Sequence, residues 1–418
     1  MAKNRHTKPA IVQSANFPNH LLTDSEKADE AYGLQVGQAI QYEWFRKRGG
    51  GGCKFYDQWS EFHNLRLYAR GEQPIQKYKK LMKVNGDLSQ LNLDWTNVPI
   101  VPKFRDIIVN GMSDRLFTPR AFAEDITSAE ERDSYQQVIE KDMIAKEFLK
   151  QTQDEFGIDA FNVDPKNLPE NDQELQLHMQ LEFKPAIEIA AETGISTVLE
   201  MNDFPEVKYQ YNKDQVELGI GIVKHEYLHN KGISIKSVDP QNTIHSYTED
   251  IHFQDVFYWG EVDQVPIIEL YKIDPDLSKE DINDIATRGS AWNEEYNVGN
   301  NYEDSLFEKD VVNLLYFNYK TTKTFVYKVK LLENGGRRII EKDEEFNPGE
   351  SEFFEKVTKT IDVWYEGVMV LGTDRILKWE IDKNMVRPGA AFQKVYPNYI
   401  AVAPDMYKGI INSKGNTL

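Results

Sequence analysis

Cysteine is almost missing from this chain: Cys53 is the only one among 418 residues. A single thiol excludes an intrachain disulfide and a Cys-rich metal site, and it fits a reducing compartment. Long apolar runs are missing as well. No stretch of about 18 apolar residues, the length a helix needs to cross a bilayer, occurs anywhere. The opening MAKNRHTKPAIVQSANFPNHLL has no apolar core of signal-peptide length. The expectation is a protein that stays inside the cell that makes it and contacts no membrane. Two nucleotide and hydrolase signatures are absent. The glycine run Gly49–Gly52 is followed by Cys53-Lys54-Phe55 where a phosphate-binding loop needs Gly-Lys-Ser/Thr, so it reads as a hinge. No Gly-x-Ser-x-Gly occurs. Cys53 itself, beside the glycines, is expected to lack a helix N-terminus that would activate it.

Positive charge is in short supply. Residues 1–120 carry 18 Lys and Arg against 12 Asp and Glu, whereas the other 298 residues carry 31 against 56. An acidic body repels polyanions, which argues against a nucleic-acid binder of the basic-groove kind. Two local basic patches stand out, Arg46-Lys47-Arg48 and Lys77, Lys79, Lys80 and Lys83. A solvated surface is the default reading of each, ahead of a contact with phosphate or an acidic partner.

What is present is enough to fold. A hydrophobic content of 40% with 12% aromatic residues belongs to globular proteins, and the length allows two or three domains. Residues 1–23 read as a polar arm. A helix is expected from Asp24 or Ser25 to the glycines, and a second over KFYDQWSEFHNLRLYARG with Gly71 as its stop. IQKYKKLMKVNGD ends in an Asn-Gly turn. In PKFRDIIVNGMSDRLF, residues Phe104, Ile107, Ile108, Gly111, Met112 and Leu116 fall on one helical stripe. Long helices are expected near 127–156, with Thr127 or Ser128 as N-cap, and near 171–202 and 206–231.

Beyond Gly232 the apolar period becomes alternating. GISIKSVDP, DVFYWGEV, VPIIELYKI, VVNLLYFNYK, KTFVYKVKLL, RRIIEK, KVTKTIDVWYEGVMVLG and RILKWEI all read as strands. LENGGRRI marks one hairpin and the stretch between VMVLG and RILKW another. One helix, SKEDINDIATR, interrupts them with Ser278 as its cap. The fold class is therefore α+β, a helical N-terminal half and an antiparallel β-rich C-terminal half. The expected divisions are an arm (1–23), a basic helical region (24–120), a long-helix region (121–231), a β-rich region (232–405) and a tail (406–418).

KHEYLHNKGISI, residues 224–235, spells the H-E-x-x-H pattern of zinc proteases in His225, Glu226 and His229. On a helix, the two imidazoles would share one face and the glutamate would activate water. Val216, Ile220, Val223 and Tyr227 then form one stripe, with His225 and His229 opposite. Leu218 and Ile222 share the histidine side, so such a helix carries two apolar faces, as at a subunit contact. The third ligand is missing: the position where the longer motif wants a histidine is Ile235. The expectation is that no metal, cofactor or catalytic residue resides here and that the chain is not an enzyme.

Several segments together resemble a known family. YARGEQPIQKYKKLM, LNLDWTNVPIVPKFRDIIVNGMSDRLF, SVDPQNTIHSYTED and IDVWYEGVMVLGTDRILKWEIDKNM occur in the order and spacing of the portal proteins of tailed bacteriophages, in the crAss-like group. The resemblance covers most of residues 55–410. It implies a structural subunit of a homo-oligomeric ring, a dodecamer in this family, with wing, stem, clip and crown. The helical half would be wing, and the β half wing sheet approaching the clip. Implied partners are the chain itself, the major capsid protein, the terminase, head–tail adaptor or tail proteins, and the double-stranded DNA that passes through the channel during packaging and ejection. The implied location is the virion, after assembly in the host cytoplasm. The family's stem and crown helices have no counterpart before Leu418, so residues 406–418 read as leading into a missing stem segment. The alternatives are another head–tail connector protein of the virion, a zinc metallopeptidase built on HEYLH, and a monomeric scaffold or interaction module.

Overall fold

The computed structural model describes residues 16–47, 52–72, 99–115, 117–156, 168–181, 183–229, 232–296, 311–331, 336–343, 346, 354–388 and 394–411. The chain forms two compact units, Met1–Asp114 together with Pro205–Leu418, and Arg115–Phe204. Helices dominate the N-terminal half and antiparallel sheets the C-terminal half, so the protein is α+β.

The first unit is built on one large sheet. Its strands are β3 (Thr243–His245), β4 (Tyr258–Pro266), β5 (Val311–Leu331), β7 (Phe354–Val370) and β8 (Arg375–Ile381), hydrogen-bonded in that order, with β6 (Arg337–Lys342) on the outer half of β5. Two strands were expected over 311–332; β5 is instead continuous. Its midsection, Asn318 to Lys323, holds β-branched Thr321 and Thr322 and no glycine or proline to break it. β7 pairs with it from Leu314↔Val370 to Lys330↔Phe354. Both expected hairpins form, with Leu331↔Arg337 closing β5–β6 and Val370↔Arg375 closing β7–β8.

Alternation along β5 assigns the two faces. Leu315, Phe317 and Tyr319 point to one face, into a core shared with Tyr32, Val36, Ile40 and Trp44 of α2 (Glu30–Phe45). The short α1 (Asp24–Lys27), closed by a Thr23–Glu26 capping box, precedes it, so the expected single helix is two. α3 (Lys54–Ala69) ends at Gly71, whose φ of +80° is the left-handed stop that only glycine adopts cheaply. α4 (Val101–Ser113) follows.

The opposite face has two separate covers. A small sheet of β2 (Gly232–Ser237), β1 (Gly221–Leu228) and β9 (Tyr399–Val402), in that order, packs on Trp259 and Trp364. At the far end, α11 (Lys279–Tyr296) lays Ile285 on Val312, Leu314, Val368 and Val370, joined by Leu270 of the short α10 (Leu270–Ile273). α11 starts as expected at Ser278, whose Oγ accepts the Asp281 N–H while Asp281 accepts that of Ser278. VPIIELYKI, expected as a strand, leaves the sheet at Pro266 and turns through a 3-10 turn into α10. Glu, Leu and Lys favour helix, and Leu270 gains full burial there.

The second unit is helical: α5 (Ile126–Ile144), α6 (Lys146–Phe156), α7 (Asp172–Leu181) and α8 (Ala186–Met201). The two long helices expected here are each split. The backbone turns at Ala145 (ψ 3°), and Pro185 disfavours helix in the residue before it. The α5 N-cap is Asp125, not Thr127 or Ser128; its carboxylate accepts the Ser128 N–H at 3.0 Å. The core is small, with Ile139, Leu168 and Leu175 packed by Tyr135, Met143 and Met179.

Candidate functional site

The HEYLH segment is a strand. The expected helix over 206–231 exists only as α9 (Phe204–Glu217). It stops at Gly219, φ +82°, and β1 begins two residues later. Leu218, Ile220 and Ile222 alternate into the core under the small sheet, each almost fully buried. That period of two, interleaved with Gly219 and Gly221, is the sequence signal that argues for a strand. The three residues are therefore covered within the chain, and the expected second apolar helix face for a neighbour does not exist.

The consequence for metal chemistry is geometric. Four residues along a strand advance about 13 Å, against about 6 Å along a helix, so His225 and His229 cannot share an ion. His225 pairs in register with Ile235, and its Nε2 lies 3.2 Å from the Asn384 carbonyl; burial lowers its basicity. His229 lies beyond the strand end and is exposed. Glu226 points to the opposite side from His225, toward Lys224 at 2.6 Å. Burial pushes the Glu226 carboxyl up, but Lys224 outweighs it and leaves the group below its ordinary value. A carboxylate held ionised in this way is a poor general base near neutral pH. Among the described residues, no group of three or more His, Cys, Asp or Glu is placed to hold a metal ion.

Lys224 and Glu226 do line a cleft, of about 350 Å³. It lies between β1 and β2 of the small sheet and β4, β5, β7 and β8 of the large one. Across this part of the large sheet Glu261 of β4 stands opposite Tyr316 of β5, and Tyr316 opposite buried Val368, which faces Lys378 of β8. Lys378 pairs with Glu366 at 3.0 Å and Glu380 at 3.2 Å. Lys224 is buried under the Tyr399 ring, 4.9 Å from its centroid, and the Tyr399 hydroxyl donates to Glu261 at 3.3 Å. Burial works against the Lys224 charge, yet Tyr399, Glu226 and Glu261 raise its pKa above the ordinary lysine value. The cleft thus sets Lys224, Lys236 and Lys378 against Glu226, Glu261, Asp263 and Glu366, with Lys224 held by Glu226 and Lys378 by Glu366.

The remaining sequence candidates are also structural. Cys53 is the N-cap of α3, its Sγ accepting the Tyr56 N–H at 3.4 Å, so the expectation that it has no helix N-terminus is overturned. Burial nevertheless pushes the thiol up and away from thiolate. Arg46 lies over the Tyr42 ring. Arg48 and Lys77, Lys79, Lys80 and Lys83 lie outside the described residues, as do the KVNGD turn and Gly49–Gly51.

Two features add to what the sequence showed. SVDPQN is a lock: Asp239 caps the turn Pro240–Asn242 and takes both Arg66 terminal nitrogens, at 2.7 and 2.8 Å, while the same guanidinium reaches buried Asp214 at 3.1 Å. Burial raises the Asp214 carboxyl to about 6 despite Arg66. The second is α4. Its inner side carries buried Val109 and Arg105, which binds Glu217. Its outer stripe was expected to be apolar and is, but Phe104, Ile107 and Ile108 face solvent, at 52%, 62% and 42% exposed.

No protein-family model matches the chain, and no curated protein matches it.

Proposed function

We propose that the chain is a structural, non-enzymatic subunit of a homo-oligomeric ring, the portal of a tailed-phage head. In this reading it sits at the packaging and tail vertex, passes double-stranded DNA, and docks capsid protein, terminase and tail components. The observation that carries the reading is the solvent-facing stripe of Phe104, Ile107 and Ile108 on α4. It lies in the segment NVPIVPKFRDIIVNGMSDRLF, one of the four that bear the portal resemblance. A helix already anchored to its own unit on one side, with an apolar stripe left in solvent on the other, offers that stripe to a neighbour. Covering these side chains is worth roughly 1 kcal/mol each, at about 25 cal/mol per Å². In a closed ring every subunit makes that contact twice, once with each face of the interface. The strand-borne HEYLH gives the peptidase alternative no support. Another head–tail connector shares the acidic, cysteine-poor character and differs in its position in the particle.

The test is the mass of the purified chain by light scattering, with negative-stain images of the same fraction. Rings with a central hole, lost on Ile107→Glu while the circular dichroism spectrum is unchanged, support the proposal. A particle whose mass and outline are unaffected by Ile107→Glu sinks it.

A further inference from the structure

In the second unit, the extended stretch 117–124 runs along α8. Glu188 and Glu192, one helical turn apart, accept the backbone N–H groups of Ala123 at 2.8 Å and Ala121 at 3.0 Å. The fit is one of repeat lengths, because four helical residues and two extended residues each advance about 6 to 7 Å. Each carboxylate also meets a cation, Arg132 on Glu188 at 3.0 Å and Lys184 on Glu192 at 2.6 Å. Held in this way, the stretch borders an open pocket of about 580 Å³ between itself, α5, α7 and α8. That is within the range of small-molecule sites, about 300–1,000 Å³.

The lining is of two kinds. Phe122, Met179 and Phe183 supply apolar wall, and Phe183 is fixed by stacking on Tyr135 with ring centroids 4.5 Å apart. Against it stand Arg120, Arg132 and Lys184 with only Glu188 and Glu192 as counter-charges. Both carboxylates are taken by Arg132 and Lys184. Arg120 makes no direct ion pair among the described residues, although its charge reaches Glu192, and it is the third cation against two carboxylates.

We propose that this pocket binds a small monocarboxylate with an apolar body, a medium-chain or aromatic acid. Its carboxylate is held by Arg120 and its body lies on Phe122, Met179 and Phe183. A guanidinium offers a planar fork that a carboxylate meets with two hydrogen bonds. A dianion such as phosphate fits less well, because Glu188 and Glu192 line the same pocket and only one positive charge is unbalanced. The site is independent of ring formation.

Calorimetric titration of the full chain with sodium octanoate tests the proposal, with acetate, octan-1-ol and inorganic phosphate as comparison probes. The expected result is saturable binding of octanoate with one site per chain, and at least tenfold weaker binding of the other three. Arg120→Gln, at an exposed position that leaves the fold alone, is expected to weaken octanoate about ten- to a hundredfold, the value of a charge-assisted hydrogen-bonded pair. Phe122→Ala should weaken octanoate and leave acetate unchanged. The proposal is overturned if octanoate shows no saturable binding, if octan-1-ol or phosphate binds as tightly, or if Arg120→Gln binds octanoate like the parent.

Discussion

Replacing Gly33 by alanine tests whether α2 is held against the large sheet as described. In an exposed helix the change stabilises, because alanine is the better helix former by about 1 kcal/mol. Here a Cβ at Gly33 would lie 2.4 Å from Cδ2, 2.5 Å from Cγ and 2.8 Å from Cε3 of Trp379. Carbon atoms sit best about 3.5–4.0 Å apart, so the overlap exceeds about 1 Å at the closest atoms. The indole cannot swing aside. Its Nε1–H donates to the Lys27 carbonyl at 2.9 Å, and its ring stacks on Tyr365 with centroids 5.0 Å apart. The helix itself must lift, and overpacking of this kind costs about 1–3 kcal/mol or somewhat more. Against the propensity gain, the net is a loss of up to about 2 kcal/mol. Gly111 on α4 supplies the contrast, since a Cβ there meets nothing within 4 Å. Gly111→Ala should gain about 0.5–1 kcal/mol. Urea unfolding followed by tryptophan fluorescence, at a concentration where scattering shows a single chain, reads both as shifts of the midpoint at constant slope. A Gly33→Ala midpoint at or above the parent's would refute the close approach of α2 to Trp379.

Three further outcomes are expected. Arg66→Ala leaves Asp214, almost fully buried, without its cation and should cost about 3–5 kcal/mol in the same urea assay; Arg66→Lys should recover only part, lacking the fork that serves Asp239. A loss below about 1 kcal/mol would remove the SVDPQN lock. Burial raises the Asp382 carboxyl to about 6, above its unfolded value near 4, so its contribution is complete below pH 4 and is lost as pH rises through 6. Asp382→Asn, which can still accept from the Asn384 N–H, should lack that fall; identical pH profiles for the two proteins would contradict it. His245, ringed by Trp44, Phe253 and Trp259, is lowered to about 4 by burial, so its contribution is complete above pH 6.5 and declines toward pH 4. His245→Gln should therefore show a shallower acid decline than the parent in the urea midpoint, and an unchanged decline would exclude this histidine as its source.

The sequence by itself determined what depends on near neighbours. Composition and period gave α+β with the helices first. Gly71 stopped α3 because only glycine takes a positive φ cheaply, and Ser278 started α11 because its hydroxyl satisfies an orphan N–H. The hairpins at 331–337 and 370–375 and the apolar stripe of α4 were legible for the same reason. The residue roles around HEYLH were not. Val216 to Tyr227 fits a helical stripe and Leu218, Ile220 and Ile222 fit a strand, and local propensity does not choose between them. The choice falls to pairing partners: β2 a few residues on, and the distant β9, where Ile222 pairs with Ala401. Burying three large side chains under that sheet outweighs a weak helical preference. Once β1 is a strand, its two histidines stand too far apart for one ion, and Lys224 and Glu226 neutralise each other in the cleft. The exposed outer side of α4 was likewise a tertiary outcome. Amphipathicity fixes which side of a helix is apolar, whereas only the packing of Val109 and Arg105 against the rest of the unit decides which side faces the core.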